Sequence, residues 1–95
     1  MIQEKYLRLI KEKINNIQSK KDLKFFIFGS SLKGDHFGDI DIGVMGDIQD
    51  KEIRQLKEEF ENSNLPYFVD LINFNQVSKE FRDNVFQDKI LWIRH

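Results

Sequence analysis

The stretch Asp39-Ile40-Asp41-Ile42-Gly43-Val44-Met45 constrains this chain more than any other. Side chains on a β-strand alternate between faces, so Ile40, Ile42 and Val44 form one apolar side while Asp39 and Asp41 share the other. Strand rise sets those two carboxylates roughly 6–7 Å apart on an exposed face. A slip of one residue would bury both, so the pattern decides which face meets the core. Two like charges beside a glycine-containing loop gain nothing structurally, and a divalent cation supplies the reason for them. Oxygen ligands of this kind suit Mg²⁺ bound together with substrate phosphates.

Apolar periodicity places the remaining elements around that strand. Ile2, Tyr6, Leu9, Ile10, Ile14 and Ile17 recur at helical spacing, which predicts an amphipathic helix over 2–18, broken by the polar cluster Ser19-Lys20-Lys21-Asp22. Leu23 to Phe28 is β-branched and aromatic in character and too short for a helix, so it reads as a buried strand ending at Gly29. Residues 31–38 form a loop or a single turn. Ile53, Leu56 and Phe60 are the stripe of a second helix over about 50–62, which Asp47 or Asp50 can N-cap and Asn62-Ser63-Asn64 stops. Pro66 opens a third strand, Tyr67 to Asn73. Val77, Phe81 and Val85 indicate a last helix over about 76–87, and Ile90-Leu91-Trp92-Ile93 suits either helix or strand. The order α-β-β-α-β-α describes an α/β (α+β) fold, a small mixed sheet of at least three strands packed on helices. At 95 residues the expectation is one domain spanning 1–95. Its core is thin, since a domain this small buries roughly 60% of its unfolded surface, and a partner subunit would help it.

Composition narrows the class. Without cysteine there are neither disulfides nor thiolate metal sites. Charge arrives by Glu4, too early for a signal peptide, and the longest wholly apolar run, Phe25 to Phe28, cannot cross a bilayer, so a soluble cytoplasmic protein is expected. The net charge of −1 conceals a basic start and an acidic middle. Residues 1–24 hold seven Lys/Arg against three Asp/Glu, and residues 39–61 hold three against eight. Solvated helix faces account for this; so would an acidic middle that accepts divalent metal and a basic start that holds an anionic partner. Neither region has the footprint of an autonomous nucleic-acid binder.

Asp70 lies in the otherwise apolar Tyr67-Phe68-Val69-Asp70-Leu71-Ile72, where a charge is costly unless paired or metal-bound. If that strand lies beside Asp39–Met45, three carboxylates converge, the arrangement two metals need to activate a nucleophile and stabilise a leaving phosphate. A strand-end aspartate bonded to backbone amides or a lysine is the plainer alternative. Gly29 lets a phosphate approach the backbone, Ser30 adds a hydroxyl donor, and the turn beyond presents amides. Gly-Ser after a strand is ordinary turn chemistry on its own and gains weight from the paired aspartates. Lys33 is a candidate phosphate contact, and His36 lies between that loop and Asp39. No P-loop and no G-x-G-x-x-G occur, the Asp39-Ile-Asp41-Ile-Gly43 run lacks the residue a haloacid-dehalogenase nucleophile motif needs at Gly43, and no EF-hand is complete.

Phe28-Gly29-Ser30-Ser31-Leu32-Lys33-Gly34-Asp35 … Gly38-Asp39-Ile40-Asp41-Ile42 resembles the signature of the DNA polymerase β-like nucleotidyltransferase superfamily, and most closely its minimal, MNT-type members. Leu65-Pro66-Tyr67-Phe68-Val69-Asp70-Leu71 is similar to that group's third-carboxylate strand, and Ser78 to Val85 to its short closing helix. The resemblance implies that Gly29 and Ser30 hold a nucleoside triphosphate, that Asp39 and Asp41 bind two Mg²⁺ ions, and that Asp70 completes the metal site. Ser31 stands where an arginine is common, which leaves Lys33 as the nearest cation. The resemblance further implies transfer of AMP from ATP to a hydroxyl, with a tyrosine of a HEPN-domain toxin as the acceptor in an antitoxin–toxin pair. The alternative is a non-catalytic module that neutralises its partner by masking it.

Overall fold

The computed structural model describes residues 2–17, 22–34 and 38–94. Helix α1 spans Glu4–Ile17, strand β1 Lys24–Phe28, β2 Asp39–Met45, helix α2 Asp50–Glu61, β3 Phe68–Asn73, α3 Lys79–Gln87 and β4 Ile90–Arg94, with a single 3₁₀ turn at Ser30–Leu32. The mixed sheet expected from the sequence is present, and the ambiguous tail Ile90–Ile93 belongs to a fourth strand. Its order is β3-β2-β1-β4, with β1 antiparallel to both β2 and β4 and β2 parallel to β3.

Neither aspartate expected to cap α2 does so. Gln49 occupies the N-cap, and the Glu52 carboxylate reaches back to accept its backbone N–H at 3.0 Å, a capping-box contact that leaves Asp50 as the first helical residue. In α3 the capping is direct: the Ser78 hydroxyl accepts from the Phe81 amide at 3.1 Å, and the helix begins at Lys79, three residues later than periodicity alone suggests.

Alternation assigns the two faces of the sheet. Phe25 and Ile27 of β1, Ile40, Ile42 and Val44 of β2 and Val69 of β3 point together under α1 and α2, where Ile10, Ile14, Leu56 and Phe60 close an aliphatic core. On the other face Phe26 and Phe28 join Phe74, Phe86 and Trp92 in an aromatic layer beneath α3. Gly43 belongs to this second face and is buried, because the Phe26 ring lies over it; a Cβ there would collide with three ring carbons. The face of β2 that bears the aspartates is therefore open only over its first half. Among the described residues no helix is long and apolar enough to cross a membrane.

Candidate active site

The pairing register lays one row of side chains across all four strands on the α3 face: Ile90, Phe28, Asp41 and Asp70. Half of that row is apolar and half is acidic, and the change falls between β1 and β2. The next row along β2 and β3 pairs Asp39 with Phe68. The parallel pairing of β2 and β3 thus brings the three expected carboxylates onto one face at the same end of the sheet.

Their environments differ. Asp39 and Asp70 are exposed and Asp41 is half-buried. Burial pushes the Asp41 carboxyl above the usual carboxylate range, and the neighbouring charges of Asp70 and then Asp39 push it the same way. Among the described residues none of the three carboxylate groups makes a hydrogen bond or ion pair. The expected cost of burying Asp70 does not arise, since β3 is an edge strand whose carboxylate-bearing face α3 leaves uncovered. The cost falls on Asp41, from its own burial first and from the neighbouring carboxylates second. Among the described residues no three His, Cys, Asp or Glu side chains already form an ion-holding cluster. The donor set is nonetheless all oxygen and anionic, which is the chemistry a hard divalent cation fits.

Gly29 is required by this arrangement for a reason beyond ligand access. Its φ of 86° and ψ of −157° lie where only glycine rests comfortably, and a Cβ would stand 2.6 Å from Asp41 Oδ2. The loop backbone and the half-buried carboxylate occupy adjoining space. Ser30 then opens the 3₁₀ turn with its side chain exposed, whereas Ser31 and Leu32 turn inward and anchor it; the Ser31 hydroxyl is fully buried with no partner among the described residues. Lys33 closes the turn, but its ammonium pairs with Asp88 at the C-terminal end of α3. That contact holds the Asp88 carboxyl below its ordinary range. Lys33 is thus next to the loop and already engaged. His36 lies outside the described residues.

Two features of the site are absent from the sequence reading. Phe68, two residues before Asp70 and so on the same face, is 75% exposed. Beside it a groove of about 690 Å³ wraps the outer edge of β3, running from Asp39 and Asp70 past Tyr67 to Lys57 and Glu61 on α2. Counting back two positions from Asp70 was the available signal for Phe68; nothing in the sequence signals the groove.

Comparison with known proteins agrees with this geometry. The family described as polymerase beta, nucleotidyltransferase matches residues 12–95. The chain belongs to that family. No curated protein matches it. Among solved structures, this nucleotidyltransferase-family chain is similar to a chain in the complex of a tri-AMPylated Shewanella oneidensis HEPN toxin with MNT antitoxin, at a TM-score of 0.62 and 22% identity, covering 92% of this chain and 71% of that one. A second Shewanella oneidensis structure is similar at a TM-score of 0.65 and 21% identity, covering 95% and 72% respectively. At such identities the likeness is one of fold.

Proposed function

We propose that this protein transfers AMP from ATP to a protein hydroxyl in a Mg²⁺-dependent reaction, that the acceptor is a tyrosine of a HEPN-domain partner, and that it serves as the antitoxin of such a pair in the cytoplasm. The observation that carries this reading is the placement of Asp39, Asp41 and Asp70 at one end of a sheet face, with a glycine loop set against the middle carboxylate. Family membership supports nucleotidyl transfer, and the fold shared with the toxin–antitoxin complex supports the choice of partner.

In this mechanism Gly29 and Ser30 receive the phosphates on loop amides and hydroxyl, and Lys33 joins them by exchanging its carboxylate partner for a phosphate. Asp39 and Asp41 would hold the cations with the triphosphate, and Asp70 would complete their coordination. A cation held by these carboxylates would supply neutralisation of the charge that develops on the phosphate oxygens as pyrophosphate is lost. Asp70, exposed at the edge, is also placed to accept the proton of the attacking hydroxyl. Association with a partner would also screen a nucleotide that so small a domain encloses poorly.

The test is incubation with α-labelled ATP, Mg²⁺ and the protein encoded by the adjacent gene. Label is expected on that protein, and it should disappear with EDTA and with the double substitution Asp39→Ala, Asp41→Ala. Labelling that survives the double substitution, or no labelling at all, overturns the enzymatic reading. Neutralisation of the partner by Asp41→Asn would favour masking without chemistry.

A further inference from the structure

The two halves of the candidate site flank Asp41 from opposite sides. The loop Gly29–Leu32 leaves β1 and lies against Asp41 from that direction, whereas Asp70 stands beyond it on the edge strand β3. In-line displacement at phosphorus needs the attacking and departing oxygens on opposite sides. With the pyrophosphate portion on the loop, attack comes from the β3 side, which is where the groove opens and shares Asp39 and Asp70 with the site.

The lining of the groove says what kind of acceptor it takes. Asp39 and Asp70 belong to the proposed cation site, which leaves Glu61 and Lys57 as the groove's own charged lining among the described residues. Phe60, Leu65, Pro66, Tyr67, Phe68 and Val69 make up the rest, so an aromatic acceptor group suits it. Its volume of about 690 Å³ lies within the roughly 300–1,000 Å³ typical of ligand sites, which suits a large side chain with its flanking backbone. Two large apolar side chains are exposed among the described residues, and both are phenylalanines. Phe81 still packs edge-on to Phe28 and tilted against Phe74, whereas Phe68 makes no ring contact with any described residue. An aromatic ring that is 75% exposed on the rim of this groove is placed to stack on an incoming ring.

We infer that this groove is the acceptor subsite and that Phe68 anchors it by stacking on the tyrosine of the incoming protein segment. The inference rests on the adenylyl transfer proposed above. In that step the tyrosine oxygen bonds to the α-phosphorus of ATP, the bond from that phosphorus to the bridging oxygen of the β-phosphate breaks, pyrophosphate departs, and the phenolic proton passes to the Asp70 carboxylate.

Label transfer from α-labelled ATP to the protein encoded by the adjacent gene, with the acceptor concentration varied, tests it on the full chain. Phe68→Ala is expected to raise the acceptor KM about ten-fold while kcat and the KM for ATP stay within about two-fold, and Phe68→Trp is expected to restore the acceptor KM. Because Phe68 is exposed, thermal melts of both variants should overlay the parent, which separates loss of docking from loss of fold. An unchanged acceptor KM in Phe68→Ala overturns the inference and leaves the proposed function standing. A raised KM for ATP in place of the acceptor also overturns it, since Phe68 would then serve the base. Absence of labelling by the unsubstituted chain overturns the proposed function and this inference together.

Discussion

One face of the sheet lies under two helices and completely buries an aliphatic set that includes Ile10, Ile14, Ile40, Ile42 and Leu56. The other lies under a nine-residue helix with no buried residue of its own, and among the described residues its buried side chains are Phe26, Phe28 and Phe74. Incomplete cover has its effect in the row Ile90–Phe28–Asp41–Asp70: packing ends at β1, and carboxylates begin at β2. Charge can be kept there because half the face remains wet, and Asp41 can be perturbed because it sits at the margin. The site lies where the second core runs out.

The sharpest way to break this contrast is to ask whether the second core carries stability at all. Phe26→Ala removes the ring that meets Phe28, Phe74, Phe86 and Trp92 and should cost about 3–5 kcal/mol in equilibrium urea unfolding, comparable to the roughly 2–5 kcal/mol expected for Ile42→Ala on the helical face. A cost below about 1 kcal/mol would mean that the aromatic layer only fills space.

At the margin the expected effects have opposite signs for activity and stability. Asp41→Asn should lower labelling at least about a hundred-fold, since a metal ligand matters more than the outer groups whose loss costs 10–100-fold. The same substitution should raise the thermal midpoint at neutral pH without divalent metal. A raised carboxyl pKa means the folded state favours the protonated form. The stability this gives is present below the ordinary value of 3.8 and is lost as pH rises through the raised pKa, so the advantage of asparagine should vanish in acid. Added Mg²⁺ should raise the midpoint of the parent more than that of the variant.

Gly29→Ala should cost about 1–3 kcal/mol, measured by chemical denaturation, because it combines a left-handed backbone with a collision at Asp41. Gly34→Ala meets nothing within 4 Å and should be near neutral. The smallest effect belongs to the exposed bridge from the loop to α3: Lys33→Ala and Asp88→Ala should each change stability by no more than about 0.5 kcal/mol. If Lys33→Ala lowers labelling and Asp88→Ala does not, the lysine acts on phosphate and the bridge is where it waits.

β2 could be read from the sequence to the residue because two constraints coincide in it: an apolar alternation and a pair of charges that must share the opposite face. The place of Asp70 beside Asp41 was legible, but its exposure was not, since whether β3 is central or at an edge depends on pairings far along the chain. The Ile90–Ile93 tail was ambiguous for the same reason. Four apolar residues fit either state until β1 is there to pair with them. Gly43 has its explanation only in the Phe26 ring of a neighbouring strand, and Lys33 finds Asp88 across 55 residues of sequence. The cap of α2 falls on Gln49 and not on Asp47 or Asp50 because Glu52, three residues on, completes a capping box, a contact that outdoes the general preference for aspartate.

The space left by the missing Cβ of Gly29 is filled by the Asp41 carboxylate, so the loop proposed to take phosphate and the strand proposed to take metal share a wall. A displacement of that backbone alters the room, hydration and charge state of the carboxylate, and a cation drawing on the carboxylate alters the room for the loop. Such coupling is reciprocal: whatever factor nucleotide adds to the affinity for metal, metal adds to the affinity for nucleotide. Under the proposed function, the two ligands would therefore bind cooperatively through the shared boundary of Gly29 and Asp41.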